Sequence, residues 1–295
     1  EFNNKKLNVI DCPGMDDFVG NAVTALNITD AGVIVVNSQY GVEVGTQNIY
    51  RTAAKINKPV IFALNKMDAE NVDYDNLINQ LKEAFGNKVV PIQFPVATGP
   101  DFNSIVDVLI MKQLTWGPEG GAPTITDIAP EYQDRAAEMN QALVEMAAEN
   151  DETLMDKFFE QGALSEDEMR EGIRKGLIDR SICPVFCVSA LKDMGVRRMM
   201  EFLGNVVPFV NEVKAPVNTE GVEIKPDANG PLSVFFFKTT VEPHIGEVSY
   251  FKVMSGTLKA GMDLNNVDRG SKERLAQISV VCGQIKTPVE ALEAG

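Results

Sequence analysis

The sequence predicts a parallel α/β sheet interrupted by an α+β insert and followed by a small antiparallel β-barrel, and three observations predict it. Four short runs are apolar on both faces: "LNVID" (7–11), "GVIVVN" (32–37), "PVIFALN" (59–65) and "CPVFCVS" (183–189). Such runs suit parallel strands covered by helices above and below. Segments with helical spacing lie between them, and strand-helix alternation implies right-handed βαβ crossovers with a ligand at the carboxyl ends of the strands. Beyond Pro208 the texture changes, as a stretch with four prolines in 25 residues gives way to strand-length runs separated by glycine turns.

The elements follow in order. The strand at 7–11 leads to a helix over 19–29, where Val19, Ala22, Val23 and Leu26 recur on one side. The second strand leads to a helix over 44–56 (Ile49, Ala53, Ile56), and the third to one over 75–85 (Leu77, Ile78, Leu81). Asn65 and Ser189 are 124 positions apart, far more than one crossover needs, so an insert of about 89–181 is expected between them. It opens with short strands within 89–97 and 105–116 and breaks at "GPEGGAP" (117–123). It continues in a long helix near 129–160 and a short one that Ser165 and Glu168 open as a capping box and Gly176 closes. Trp116, just before the break, is placed to anchor the core of the insert. The expected division is 1–212 for the α/β domain with its insert and 213–295 for the barrel. His244, in "VEPHIGEV", falls between two barrel strands and reads as a turn residue.

Charge and cysteine usage exclude several classes. With 42 Asp and Glu against 27 Lys and Arg, the net charge of -15 argues against nucleic-acid binding through a spread of positive charge. From Asp127 to Arg180, 15 acidic residues stand against 6 basic ones, so -9 of that charge lies in 54 residues. This stretch is either a solvated helical face or a docking surface for a basic partner. No apolar run approaches the roughly 18 residues that cross a bilayer. The start, "EFNNKKLNVI", lacks the regions of a signal peptide, so a soluble, cytoplasmic protein is expected. The four cysteines form no CxxC pair and His244 is the only histidine, which favours buried reduced thiols over a zinc site. Without an initiator Met, and ending where a further strand is expected, the chain reads as a fragment.

The strand ends carry the candidate chemistry. The first closes in Asp11, Pro13 and Gly14, the third in Asn65, Lys66, Met67 and Asp68, and the fourth in Ser189, Ala190 and Leu191. A carboxylate at Asp68 can accept hydrogen bonds from both N1–H and N2–H of guanine, a pairing adenine does not offer. Asn65 can tie the base loop together, the stem of Lys66 can cover one face of the ring, and the N–H of Ala190 can point at guanine O6. Asp11 is placed to hold a magnesium-bound water, and Gly14, lacking a Cβ, lets its N–H approach a γ-phosphate. An ATPase is disfavoured, because Asp68 would face the adenine amino edge without complementary donors.

In this order "DCPG", "NKMD" and "SAL" resemble the magnesium and γ-phosphate, guanine and base-loop motifs of elongation factor G, a translational GTPase. "DFNSIVDVLIMKQLTW", "EMREGIRKGLIDRSICPVFCVSALKDMGV" and "SYFKVMSGTLKAGM" are similar to the insert, its exit and the barrel hairpin of that family. The resemblance implies a P-loop GTPase-type sheet missing its first strands, with GTP or GDP and Mg²⁺ as ligands of the intact protein. It also implies action on the ribosome, with GTP-driven movement of tRNA and mRNA, and contact of the acidic insert with the ribosomal stalk protein. No membrane partner is implied, and the fragment is expected to be monomeric. A ribosome-docking factor with little hydrolysis, or a ribosome-protection protein of the tetracycline-resistance type, fits the same residues.

Two departures qualify the resemblance. No GxxxxGK[ST] phosphate loop occurs in the chain. The family's P-loop and switch I threonine belong upstream of Glu1, with the P-loop strand between those at 7–11 and 32–37, so the fragment is expected to bind GTP poorly or not at all. The family also places a histidine after the motif glycine, where it positions the attacking water, and here the residue is Met15. A thioether cannot orient water as imidazole does. Either Met15 only packs against the switch and another group or the substrate phosphate serves hydrolysis, or hydrolysis by the intact protein is slow. "DDFVGN" after it is closer to divergent elongation factor G paralogues than to the housekeeping factor.

Overall fold

The computed structural model describes residues 2–244 and 246–295, in two compact units, Glu1–Pro208 and Phe209–Gly295. The first contains α1 (Val19–Ile28), β1 (Gly32–Asn37), α2 (Val44–Lys55), β2 (Val60–Asn65), α3 (Tyr74–Phe85) and β3 (Val89–Pro91). The chain then forms β4 (Gln93–Pro95), β5 (Ser104–Asp107), β6 (Lys112–Thr115), β7 (Thr124–Thr126), α4 (Pro130–Ala148), α5 (Glu152–Gln161) and α6 (Glu166–Asp179). It closes with β8 (Cys183–Cys187) and α7 (Val196–Val206).

The main sheet is parallel, in the order β1-β2-β8-β3. Its central strands are apolar throughout because both faces are covered: Val60 to Leu64 of β2 and all of β8 are buried. α3 shows how the sequence builds a covering helix. Asp73 caps it by accepting the Asn76 N–H at 3.0 Å, while Leu77, Ile78, Leu81 and Phe85 recur at helical spacing and are buried. The Phe62 and Phe85 rings stack at 5.2 Å between strand and helix. Val89–Pro91, within the span the sequence assigns to the insert, pairs with β8 and closes this sheet.

Three expectations are corrected. Residues 7–11 form no strand, and Val9 is 76% exposed. A strand needs a hydrogen-bonded neighbour, and none lies beside this segment among the described residues. β1 is therefore an edge strand with only Ile34 and Val36 buried, while Val33 and Val35 face outward. The long helix expected near 129–160 is two helices, because Asp151 turns its side chain to the Leu154 N–H at 3.0 Å and caps α5. The short helix runs past Gly176 to Asp179 and ends at Arg180, in the left-handed conformation at φ 62°. Its capping box is present, with Ser165 and Glu168 bonded reciprocally.

The insert carries a separate antiparallel sheet, β4-β5-β6-β7, packed with α4. It joins the main sheet through a buried polar knot. Asp107 on β5 accepts from Arg198 Nε of α7 at 2.8 Å and from Gln93 Nε2 at 2.9 Å. It also accepts the Leu109 and Ile110 N–H groups at 3.2 and 3.3 Å, so both carboxylate oxygens are satisfied in the interior.

The second unit contains β9 (Ser233–Glu242), β10 (Gly246–Ser255), β11 (Thr257–Lys259), β12 (Asp263–Asn266), β13 (Ser271–Arg274), β14 (Ile278–Cys282), β15 (Ile285–Val289) and β16 (Ala291–Glu293). They pair as four antiparallel ladders, β9 with β10, β11 with β16, β12 with β13 and β14 with β15. This barrel-type domain has a small core of Val253, Leu258 and Ile278. His244 lies in the β9–β10 turn at φ 67°. Cys183 and Cys187 are buried, and burial pushes the Cys187 thiol up out of the reactive range. Cys282 departs from the expectation of buried thiols: it is exposed at the end of β14.

Candidate nucleotide site

Two loops meet where β2 and β8 end. Beyond Asn65 the chain enters the left-handed region at Lys66, φ 63°, a conformation costly for a side chain with a Cβ and held here by local bonds. Asn65 Oδ1 accepts the Lys66 N–H at 2.8 Å and the Ala190 N–H at 3.0 Å, so one side chain fixes the turn and ties it to the neighbouring loop. Met67 is fully buried below the turn. Its N–H donates to Val188 O at 3.2 Å, its carbonyl accepts from Gly99 at 2.8 Å, and Ser38 Oγ donates to its sulfur at 3.2 Å. With Met67 anchored inside, Asp68 emerges half-buried at the carboxyl end of the sheet.

The second loop is closed at its base, where Ser189 and Met194 exchange N–H to carbonyl bonds of 2.9 and 3.0 Å. Buried Ser189 turns its Oγ to accept the Lys192 N–H at 3.2 Å. Ala190 and Leu191 stand at the exposed tip, Leu191 at 90%. The Ala190 N–H, which the sequence aims at a purine oxygen, is given to Asn65. Among the described residues the Leu191 N–H has no hydrogen-bond partner. A carboxylate on one loop and an exposed backbone donor on its bonded neighbour suit the donor and acceptor edge of guanine.

The remaining candidates are not drawn into this arrangement. Asp11 and Gly14 lie exposed in a segment without regular structure. Met15, 66% exposed, precedes a 3-10 turn over Asp16–Phe18 and makes no side-chain cap. None of the three hydrogen-bonds to either loop. The residues present therefore fit the base of a guanine nucleotide. Asp11 and Gly14 have the chemistry for a magnesium-bound water and a γ-phosphate but stand apart from the two loops, and no cluster of three metal-ligating side chains occurs among the described residues.

A parallel sheet with this loop pair at its carboxyl edge, followed by a β-barrel-type unit, defines a GTPase-type protein. Residues 1–209 match the elongation factor Tu GTP binding domain and residues 231–295 match elongation factor G domain 2. The chain belongs to the elongation factor G-like translational GTPases. It is similar to a protein of known crystal structure from Thermus thermophilus, with 27% identity and a TM-score of 0.82 over 97% of this chain. The chain spans 40% of that protein's length. Among the described residues, no helix is long and apolar enough to cross a membrane.

Sequence reasoning singled out the two loops by residue type and missed their supports. Ser38 under Met67 leaves no pattern in the sequence. Gly120 of "GPEGGAP", a stretch read only as a break, is the signal for a close backbone approach to Lys192.

Proposed function

We propose that this chain supplies the guanine-recognition half of a GTP-dependent elongation factor that acts on the ribosome and moves tRNA and mRNA. Asp68 reads the N1 and N2 edge of the base, Asn65 locks the two loops together, Lys66 covers the ring, and Ser189, Ala190 and Leu191 bound the O6 side. The shared Asn65 Oδ1, bonded to both Lys66 and Ala190, is the observation that carries this reading. In the intact protein Asp11 and Gly14 serve the magnesium-bound water and the γ-phosphate. The acidic insert docks on the stalk protein. Met15 cannot orient the attacking water, so hydrolysis is slow.

Phosphate release by the intact protein with and without ribosomes tests this. Ribosomes should stimulate it, and Met15→His should raise the rate by about 10² or more, the usual scale for restoring a proton-handling group. No stimulation with either residue would contradict a ribosomal GTPase. A wild-type rate equal to that of a histidine-bearing homologue would contradict the role given to Met15.

A further inference from the structure

We propose that the insert segment 116–121 sets the position of the base-facing loop 189–194, with Gly120, Gly121 and Trp116 as positioning residues for guanine recognition. This rests on the assignment of Ala190 and Leu191 to the base. The outer limb of the loop faces the insert backbone. Gly121 N–H donates to Asp193 O at 2.9 Å, and Gly121 O accepts from the indole Nε1 of Trp116 at 3.0 Å. Trp116 is buried, so Gly121 is pinned by a side chain that is itself fixed.

Gly120 leaves no room for any other residue. It lies at φ 69°, and a Cβ there would stand 1.9 Å from Lys192 O and 3.0 Å from Asp193 O. Both are backbone atoms, so a side chain could be admitted only by moving the loop. The insert holds the loop at one further point and the helix after it at another. Lys192 Nζ reaches Pro100 O at 3.1 Å. Beyond the loop, Arg198 on α7 is held by Asp107 of the insert. The loop that carries Ala190 and Leu191 is thus seated on the insert as well as on Asn65.

Two consequences follow. A base bound by the loop and the conformation of 116–121 are coupled, and the coupling is reciprocal: whatever displaces the insert segment weakens guanine binding by the factor with which guanine opposes that displacement. Specificity also depends on residues that touch no ligand.

The test is the ratio of GDP to ADP affinity in the intact protein, measured by calorimetry, together with amide hydrogen exchange over 189–194. Gly120→Ala should reduce that ratio about tenfold, within the usual span of coupling between sites, and speed exchange at Lys192–Met194. Trp116→Phe keeps an aromatic ring and removes the indole donor. It should shift both readouts in the same direction by less, and it carries the test if Gly120→Ala does not fold. Asp68→Asn is the control, abolishing discrimination without altering exchange in the loop. A ratio within about twofold of wild type in both insert variants, with Asp68→Asn still abolishing it, would overturn the inference and leave the proposed function standing. An unchanged ratio in Asp68→Asn would remove both.

Discussion

The two ends of the candidate site are built in opposite ways. At the proposed base end, Asn65, Met67, Ser189 and Asp193 are tied by bonds of 2.8–3.2 Å to each other's loops, to Ser38 and Val188 just past β1 and β8, and to Gly99 and Gly121 of the insert, so the two loops are braced from several sides. At the proposed phosphate end, residues 7–15 have no strand partner among the described residues, and Asp11, Gly14 and Met15 lie exposed without a hydrogen bond to those loops. The difference shows what each task requires. Reading a base is a matter of fixed donors and acceptors, which a rigid frame of sheet and insert supplies. Holding a phosphate and orienting water needs convergent groups, and among the described residues Asp11, Gly14 and Met15 are not hydrogen-bonded to the base-side loops.

The comparison breaks most severely at Asp107. Asp107→Ala leaves Arg198 buried without its carboxylate, with Glu201 only at 3.9 Å. It should cost about 3–5 kcal/mol in urea unfolding and loosen the 189–194 loop while leaving exchange at 7–15 unchanged. Equal loosening at both ends would mean that they share one frame.

A smaller effect sharpens the contrast from a distance. The Lys157 ammonium, and then the Ser165 backbone and hydroxyl donors, hold the Glu168 carboxyl down at about 2. Because the folded value is depressed, the stabilisation is present above the ordinary carboxylate range near 4.3 and is lost as pH falls through about 2. Lys157→Met should flatten the pH dependence of the urea midpoint over that window and leave both ends of the site unaffected. A change in loop exchange would show that α6 is part of the frame.

How far the sequence reached follows from the same physics. β2, β8, α3 and the capping box of α6 were legible because burial on both faces, helical spacing and a Ser-to-Glu pair each leave their own pattern. The 7–11 segment misled because an apolar run carries no information about whether a neighbour lies beside it. The α4–α5 break was hidden because Asp151 looks like one more acid in an acidic helix until its side chain turns to cap. In the candidate site, the sequence picks out Asn65, Asp68 and 189–191 by residue type, and the structure joins the two loops through Asn65. The seating of that loop on Gly120 and Gly121 was not legible, since a backbone hydrogen bond leaves no trace in residue type and the close approach leaves only Gly120.

Asp68 is the point on which the account turns. An Asn there replaces one acceptor with an N–H donor, which mismatches the guanine N2–H and suits the O2 of xanthine. In calorimetric titrations of the intact protein, Asp68→Asn should lose GDP binding and gain binding of xanthosine diphosphate. Unchanged GDP affinity, with no gain for the xanthine nucleotide, would contradict the assignment of these loops to a guanine base.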